Sequence, residues 1–297
     1  MVRVRAVRYG EGMKDDVSDA IERAIGVRPQ AMAPLSGGCV STVVRAALPD
    51  GDMVVAKFDP TGATGLDVEG ESLRYLKRES TLPVPRVISS SETLLILEHI
   101  SGSTGAGPAA SEDAADALAA LHKVSARQFG FAYDTVIGGL PQPNPREDSW
   151  RVFFRDHRLL AMAHEARRFG ALPAASHARI QRLAESIDEL IDEPPHPSLI
   201  HGDVWSGNVL CDGDRVLAFI DPAISFSDSE MELAFIALFS TFGDRFYRRY
   251  AEHRPIRDGF FESRQHLYNL YPLLVHVRLF GGHYVQSVDS TLTRFGF

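Results

Sequence analysis

The stretch 198–223, Ser-Leu-Ile-His-Gly-Asp-Val-Trp-Ser-Gly-Asn-Val-Leu-Cys-Asp-Gly-Asp-Arg-Val-Leu-Ala-Phe-Ile-Asp-Pro-Ala, constrains the fold of this chain more than any other. A short apolar run ends at His201, a polar loop carries Asp203 and Asn208, and Val209-Leu210 resumes the apolar pattern. Asp212-Gly213-Asp214 is a tight-turn signal, and 216–220 read as the strand that returns from it. Folding the hairpin about that turn brings Asn208 nearly opposite Asp221, within a residue or two. An amide and a carboxylate then meet at one end of the hairpin, and Asp203 stands on the loop that feeds it. Mg²⁺ takes hard oxygen ligands, and a neighbouring carboxylate can orient an attacking hydroxyl, so the set suits metal-assisted phosphoryl transfer.

Any one of these residues alone would ordinarily serve a turn. As a set they carry the spacing Asp-x-x-x-x-Asn of the kinase catalytic loop, with a second Asp following on a hairpin as the kinase metal-binding Asp does. His-Gly-Asp-x-x-x-x-Asn followed by Ile-Asp resembles the kinase-like phosphotransferases of small molecules, among them aminoglycoside and choline kinases. Two details narrow it. Asp203-Val204-Trp205-Ser206-Gly207-Asn208 is similar to the Gly-Asp-Leu-Trp-x-Gly-Asn of the fructosamine kinase (ketosamine 3-kinase) family, and Asp221-Pro222-Ala223 to that family's Asp-Pro-Ala. The resemblance covers nearly the whole chain. It implies an α+β, bilobal protein-kinase-like fold with a small β-rich N-lobe and a larger, mainly helical C-lobe.

The composition is compatible with that reading. The 297 residues are enough for one two-lobed unit, and 44% hydrophobic with 24% charged residues is ordinary for a soluble globular protein. A formal charge of −8 argues against a general binder of nucleic acid or anionic membrane. The N-terminus alternates Val with Arg and lacks the apolar core of a signal peptide, and no stretch reaches the apolar length of a membrane helix. Two cysteines, Cys39 and Cys211, cannot build a disulfide framework. The expectation is a cytoplasmic protein.

Along the chain, 15–26 has helical apolar spacing. Gly37-Gly38 before a β-branched run reads as a hairpin loop whose amides can approach a phosphate. Residues 53–58, Met-Val-Val-Ala-Lys-Phe, read as a strand, and Lys57 stands where kinases place the lysine that neutralises nucleotide phosphates. The helix over 65–79 offers a carboxylate partner. Family registration places Glu69 there, with Glu71 as the fallback, and only one of the two can face inward. A buried-looking strand at 93–97 gives way to Glu98-His99-Ile100-Ser101-Gly102, where kinase-like chains cross between lobes and read the adenine edge. The expected organisation is an N-lobe over 1–97, a hinge over 98–102 and a C-lobe over 103–297. A helix spans 109–123, with His122 as a structural residue at its end, and 129–146 reads as a long loop rich in Gly and Pro. Helices follow from Trp150 to about Arg168 and over 179–192.

After Asp221, 228–234 opens a helix with acidic residues in its first turn. The family usually carries Asp-Leu-Ala at the end of this segment; here Glu232 stands in, and its extra methylene threatens any hydrogen bond to the catalytic loop. The segment 267–282 resembles the family's C-terminal helix. His276 on it is either a core histidine or part of the acceptor pocket. Trp205 offers a flat face on which a sugar could stack, or packs between loop and helix.

The resemblance thus implies an ATP-dependent kinase with an alcohol group as acceptor, using ATP and Mg²⁺. Gly37, Gly38, Lys57, Glu69 and the crossing at Glu98, His99 and Ile100 would bind nucleotide; Asn208 and Asp221 would hold one or two Mg²⁺; Asp203 would orient the attacking hydroxyl. The implied acceptor is a sugar hydroxyl of a small-molecule or protein-bound ketosamine, whose phosphorylation leads to deglycation. An aminoglycoside or other amino sugar is the alternative acceptor, and a non-catalytic nucleotide-binding regulator the alternative class. A monomer is expected. A redox-linked dimer through Cys39 is a further hypothesis, against a buried small thiol.

Overall fold

The computed structural model describes residues 11–35, 41–105 and 107–297. Its N-terminal region is a five-stranded antiparallel sheet with two helices: α1 (Glu11–Ile25), β1 (Ala31–Pro34), β2 (Thr42–Ala47), β3 (Met53–Phe58), α2 (Leu66–Glu79), β4 (Val87–Ser90) and β5 (Leu94–Glu98). The strand order is β1-β2-β3-β5-β4. Side chains alternate across a strand, and the sequence exploits this. Val54, Ala56 and Phe58 of β3, with Leu94 and Ile96 of β5, face Val17, Ala20 and Ile21 of α1 in one buried cluster. Lys57, Leu95 and Leu97 consequently point to the other face, where α2 lies.

That second face belongs to a larger core. Leu66, Leu73 and Leu76 of α2 and Leu95 and Leu97 of β5 share one cluster with Trp150, Phe153 and Leu274 of the C-terminal part. Each large apolar side chain buried there stabilises the fold by roughly 1.5–3 kcal/mol.

The C-terminal part is mainly helical. It runs β6 (Ser103–Thr104), α3 (Pro108–Leu121), β7 (Thr135–Ile137), β8 (Leu140–Gln142), α4 (Trp150–Phe154), α5 (Ala161–Arg168), α6 (Ala174–Glu185), α7 (Ile187–Leu190) and β9 (Ser198–Ile200). There follow β10 (Val209–Asp212), β11 (Arg215–Phe219), β12 (Ser225–Ser227), α8 (Ser229–Leu238), α9 (Asp244–His253), α10 (Gln265–Tyr268), α11 (Leu270–Phe280) and α12 (His283–Arg294). A π-helical segment, Arg155–Leu160, joins α4 to α5, so the helix expected from Trp150 to Arg168 is continuous but locally widened and underwound.

Two features position the site. The β10–β11 hairpin forms where Asp212-Gly213-Asp214 predicts it, with Val209 opposite Phe219. The short β6 pairs with β10 through Leu210–Thr104 and Cys211–Ser103, so the chain that leaves the N-terminal sheet is stitched at once to the hairpin. One expectation needs correction. The 129–146 stretch is not a plain loop: β7 and β8 form an antiparallel hairpin joined by Gly138-Gly139, both at positive φ. A two-residue glycine turn between short strands is a favoured hairpin connection, and the prolines that follow it at 141, 143 and 145 obscure it.

Candidate active site

A cleft of about 820 Å³ opens between the N-terminal sheet and the β10–β11 hairpin. Lys57, Glu69, Asp203, Asn208 and Asp221 all line it, with Trp205 and the crossing residues Glu98, His99 and Ile100.

Lys57 is 6% exposed, and a buried ammonium requires partners. Its Nζ lies 2.7 Å from Glu69 Oε1 and 2.5 Å from Asp221 Oδ1. Burial alone would lower the lysine pKa; the charges of Asp221 and Glu69 overcome it and raise the ammonium above its ordinary value. Burial raises the Glu69 carboxyl, Lys57 opposes this and Asp221 adds to it, for a net upward shift. Of the two candidate carboxylates on α2, Glu69 is therefore the partner of Lys57, while Glu71 pairs with Arg74 at 2.5 Å. Helix geometry explains the choice. Glu69 shares a face with buried Leu73 and Leu76, at steps of four and three, and Glu71 does not.

On the hairpin side, the backbone N–H of Ile220 donates to the Asn208 carbonyl at 3.0 Å, so Asn208 sits one residue from register with Asp221. The Asn208 amide nitrogen donates to both Asp203 O and Asp203 Oδ2, each at 2.9 Å. This leaves the carboxamide oxygen as its free end. Asp203 is half-buried and its carboxyl is pushed up to about 8, first by burial and then by the charge of Asp221, against the Asn208 hydrogen bond. Asp221 adopts φ 58, a left-handed conformation uncommon outside glycine that aspartate tolerates better than most residues.

The loop bearing Asp203 is held from beneath by residues that the sequence did not mark as a unit. Gly202 N–H donates to Glu232 Oε1 at 2.6 Å, and His201 N–H to Glu232 Oε2 at 3.3 Å. His122 Nε2 donates to Glu232 Oε2 at 2.8 Å, while its Nδ1 lies 2.7 Å from the Tyr250 hydroxyl. Glu232 is fully buried, which raises its pKa, but the His122 hydrogen bond and charge bring it net below the ordinary carboxylate value. The longer acid thus keeps its bond to the loop. His122 is structural, as expected, although its place is under the loop that bears Asp203.

Trp205 is 37% exposed, and its ring covers Gly207: a Cβ at Gly207 would lie 2.3 Å from the indole. One side of the ring packs on the loop while the residue lines the cleft. His276 does not reach the cleft. Its Nδ1 donates to the Pro272 carbonyl at 2.8 Å, and its ring sits among Phe239, Phe280 and Tyr284 with centroids 5.1, 5.6 and 4.8 Å away. Gly37, Gly38 and Cys39 lie outside the described residues. Cys211 is buried, and burial raises its thiol pKa. Val136, Ile137, Gly138 and Gly139 of the β7–β8 turn region line the cleft opposite the hairpin; their β-branched run before a glycine pair was the available signal.

The donor set can be tested for a cation. Among the described residues no three His, Cys, Asp or Glu side chains come together as a metal cage. The cleft offers two hard oxygens instead, from Asn208 and Asp221, and Asp221 already holds a cation in the form of Lys57. A site of that kind fits Mg²⁺ carried with substrate phosphates rather than a metal held by protein alone.

Relatives sharpen what the geometry suggests. A family model described as fructosamine kinase matches residues 13–295. A probable ketoamine kinase of Synechocystis is 36% identical over 283 residues, covering 89% of this chain and 90% of that protein. The crystal structure of a candidate fructosamine-3-kinase from Thermobifida fusca superposes with a TM-score of 0.83 at 32% identity, covering 94% of this chain and 98% of the other. An aminoglycoside phosphotransferase solved with ADP and hygromycin B shares the fold, with a TM-score of 0.68 at 19% identity over 94% of this chain and 98% of the other. On a kinase-like fold, and matched almost from end to end, the chain belongs to the fructosamine kinase family.

Proposed function

We propose that this chain is an ATP-dependent kinase that phosphorylates a sugar hydroxyl of ketosamines, the adducts that reducing sugars form with amines, and so initiates their removal. The convergence of Lys57, Asp203, Asn208 and Asp221 in one cleft carries the reading. Lys57, held by Glu69, binds nucleotide phosphates together with Gly37 and Gly38. Ile100 supplies the amide for the adenine edge. Its neighbours Glu98 and His99 already donate their N–H groups to Arg86 and Met53, whereas Ile100 has no such acceptor among the described residues. Asn208 and Asp221 hold Mg²⁺, which when bound offsets charge on the transferring phosphoryl group. Asp203 receives or orients the proton of the attacking hydroxyl, and Trp205 presents an apolar face to the sugar ring.

In this reading 1–97 act as a nucleotide lobe, 98–102 as a hinge and 103–297 as the lobe carrying catalysis and the acceptor. The acceptor is free or protein-bound, the setting cytoplasmic, and the enzyme a monomer that can be linked through Cys39 under oxidation. A screen of ADP release on ribulosamine and fructosamine conjugates against aminoglycosides tests the proposal. Turnover on ketosamines, abolished in Asp221→Ala, is the expected result. Turnover on antibiotics alone would move the acceptor class, and nucleotide binding without transfer to any acceptor would favour a regulator.

A further inference from the structure

The β7–β8 hairpin carries more buried polar chemistry than a cleft wall requires. Thr135, Gln142 and Asn144 are each 2% exposed. Gln142 Nε2 donates to Thr135 Oγ1 at 2.8 Å and to the Ala223 carbonyl at 3.0 Å, and its Oε1 accepts from the Tyr271 hydroxyl at 2.7 Å. Thr135 Oγ1 donates to the Ile224 carbonyl at 3.2 Å and also accepts from Asn144 Nδ2 at 2.8 Å. Asn144 Oδ1 accepts from Arg158 Nη2 at 2.6 Å, and Arg158 Nη1 donates to the Pro143 carbonyl at 2.6 Å. The Thr135 hydroxyl has thereby spent its one donor and both acceptor sites, and Gln142 both its amide hydrogens. Such a network specifies a geometry that an apolar core would leave looser.

What the network holds is the chain just after Asp221. Ala223 and Ile224, whose carbonyls it grips, follow Asp221 by two and three residues. From the opposite side Ala223 N–H donates to the His201 carbonyl at 2.8 Å, and the Ala223 carbonyl abuts Gly202 so closely that a Cβ there would lie 2.2 Å away. The segment is clamped between catalytic loop and hairpin, and Asp221 keeps its left-handed φ within that clamp. Arg158, the network's far anchor, lies in the π-helical segment Arg155–Leu160 and is 0% exposed. It ion-pairs with no carboxylate among the described residues; its guanidinium sits over the rings of Phe153 and Tyr271 at 4.5 and 5.6 Å. A rare helical distortion that aims a buried arginine at the hairpin marks the network as built, since π-bulges concentrate at functional sites.

The geometry points to Gln142 as a positioning residue for Asp221: through the Ala223 carbonyl, the hairpin network sets where the Asp221 carboxylate meets the metal-bound nucleotide. This rests on the reading of Asp221 as a metal ligand, and the experiment separates the two. Mn²⁺ affinity of the full chain with a non-hydrolysable ATP analogue, read by electron paramagnetic resonance, is compared for Gln142→Leu, Thr135→Val, Leu140→Ala and Asp221→Ala. Leu140 is buried in the same hairpin, makes none of the network's bonds and does not line the cleft.

Gln142→Leu and Thr135→Val should weaken Mn²⁺ binding about fivefold or more and lower kcat about tenfold, with acceptor KM nearly unchanged. Leu140→Ala should lower thermal stability without moving metal affinity. Thr135→Val conserves shape and keeps the test alive where Gln142→Leu does not fold. Loss of metal binding in Asp221→Ala with wild-type affinity in both network variants would overturn the positioning role alone. Wild-type affinity in Asp221→Ala would overturn the metal reading and the inference together.

Discussion

Glu232 Oε1 accepts the backbone N–H of Gly202 across 2.6 Å, one residue before Asp203. The extra methylene relative to the family's usual aspartate is absorbed because Oε2 finds a second partner in His122, itself paired with Tyr250. Glu232→Asp should therefore be harmful although it restores the family residue. The shorter arm cannot serve both Gly202 and His122, and leaves a buried donor unpaired at about 1–3 kcal/mol. Urea denaturation should show that loss, and kcat should fall with it. Unchanged stability would mean that the loop is held by other contacts.

In the proposed reading, Asp203 links catalysis to pH. Its carboxyl is pushed up to about 8 by burial and by Asp221. Between the ordinary carboxylate pKa of about 4 and that value the unfolded chain gives up its proton while the folded one keeps it, so in this window stability falls as pH rises. Asp203→Asn removes the penalty. Without nucleotide or metal the variant should exceed the parent by about 1–2 kcal/mol at alkaline pH, and the two should converge near pH 4. It should also lose most of its turnover, about a hundredfold or more. Thermal melts across the pH range check the first statement; a difference independent of pH would refute it.

Gly202 has φ +87, and the Ala223 carbonyl occupies the space a Cβ would need. Gly202→Ala should destabilise by about 3 kcal/mol and depress kcat, since neither backbone segment can yield without moving Asp203 or Asp221. Gly26→Ala provides the contrast: φ is +75 but nothing lies within 4 Å, so only the backbone term of about 1 kcal/mol applies. Equal losses in denaturant titrations would show that the loop is looser than this contact implies.

Cys211 is 3% exposed, and its thiol pKa is raised by burial and the nearby Asp113. In the native protein it should react slowly with a thiol reagent such as Ellman's, and fully only in denaturant. A Cys39→Ser variant isolates this thiol. It should show no fast reaction and form no dimer after mild peroxide on non-reducing gels. Dimer formation by that variant would place the redox chemistry at Cys211 instead.

Local pattern made much of the site readable. The β10–β11 register follows from a tight turn, which is why Asn208 and Asp221 could be paired from sequence. Lys57 lies on a strand whose alternation hides Ala56 and Phe58 on the other face, and Glu69 shares the stripe of Leu73 and Leu76. The β7–β8 hairpin is not legible in the sequence although its glycine pair is, because prolines at 141, 143 and 145 favour a loop. The sequence alone does not decide between core and acceptor pocket for His276, because a helix's own sequence does not say what packs against it; in the structure its ring partners include Phe239, Phe280 and Tyr284.

The sequence by itself determined the chemistry: which side chains carry oxygen and charge, and at what spacing along elements whose periodicity is intrinsic to the backbone. Only the tertiary structure decided how Glu232 is shared between Gly202 and His122, and that Gln142 and Thr135 grip the chain after Asp221. Those bonds join residues 30 to 110 positions apart in sequence. No local periodicity encodes such pairs; they arise when separately folded elements bury polar groups together and each group must find a partner.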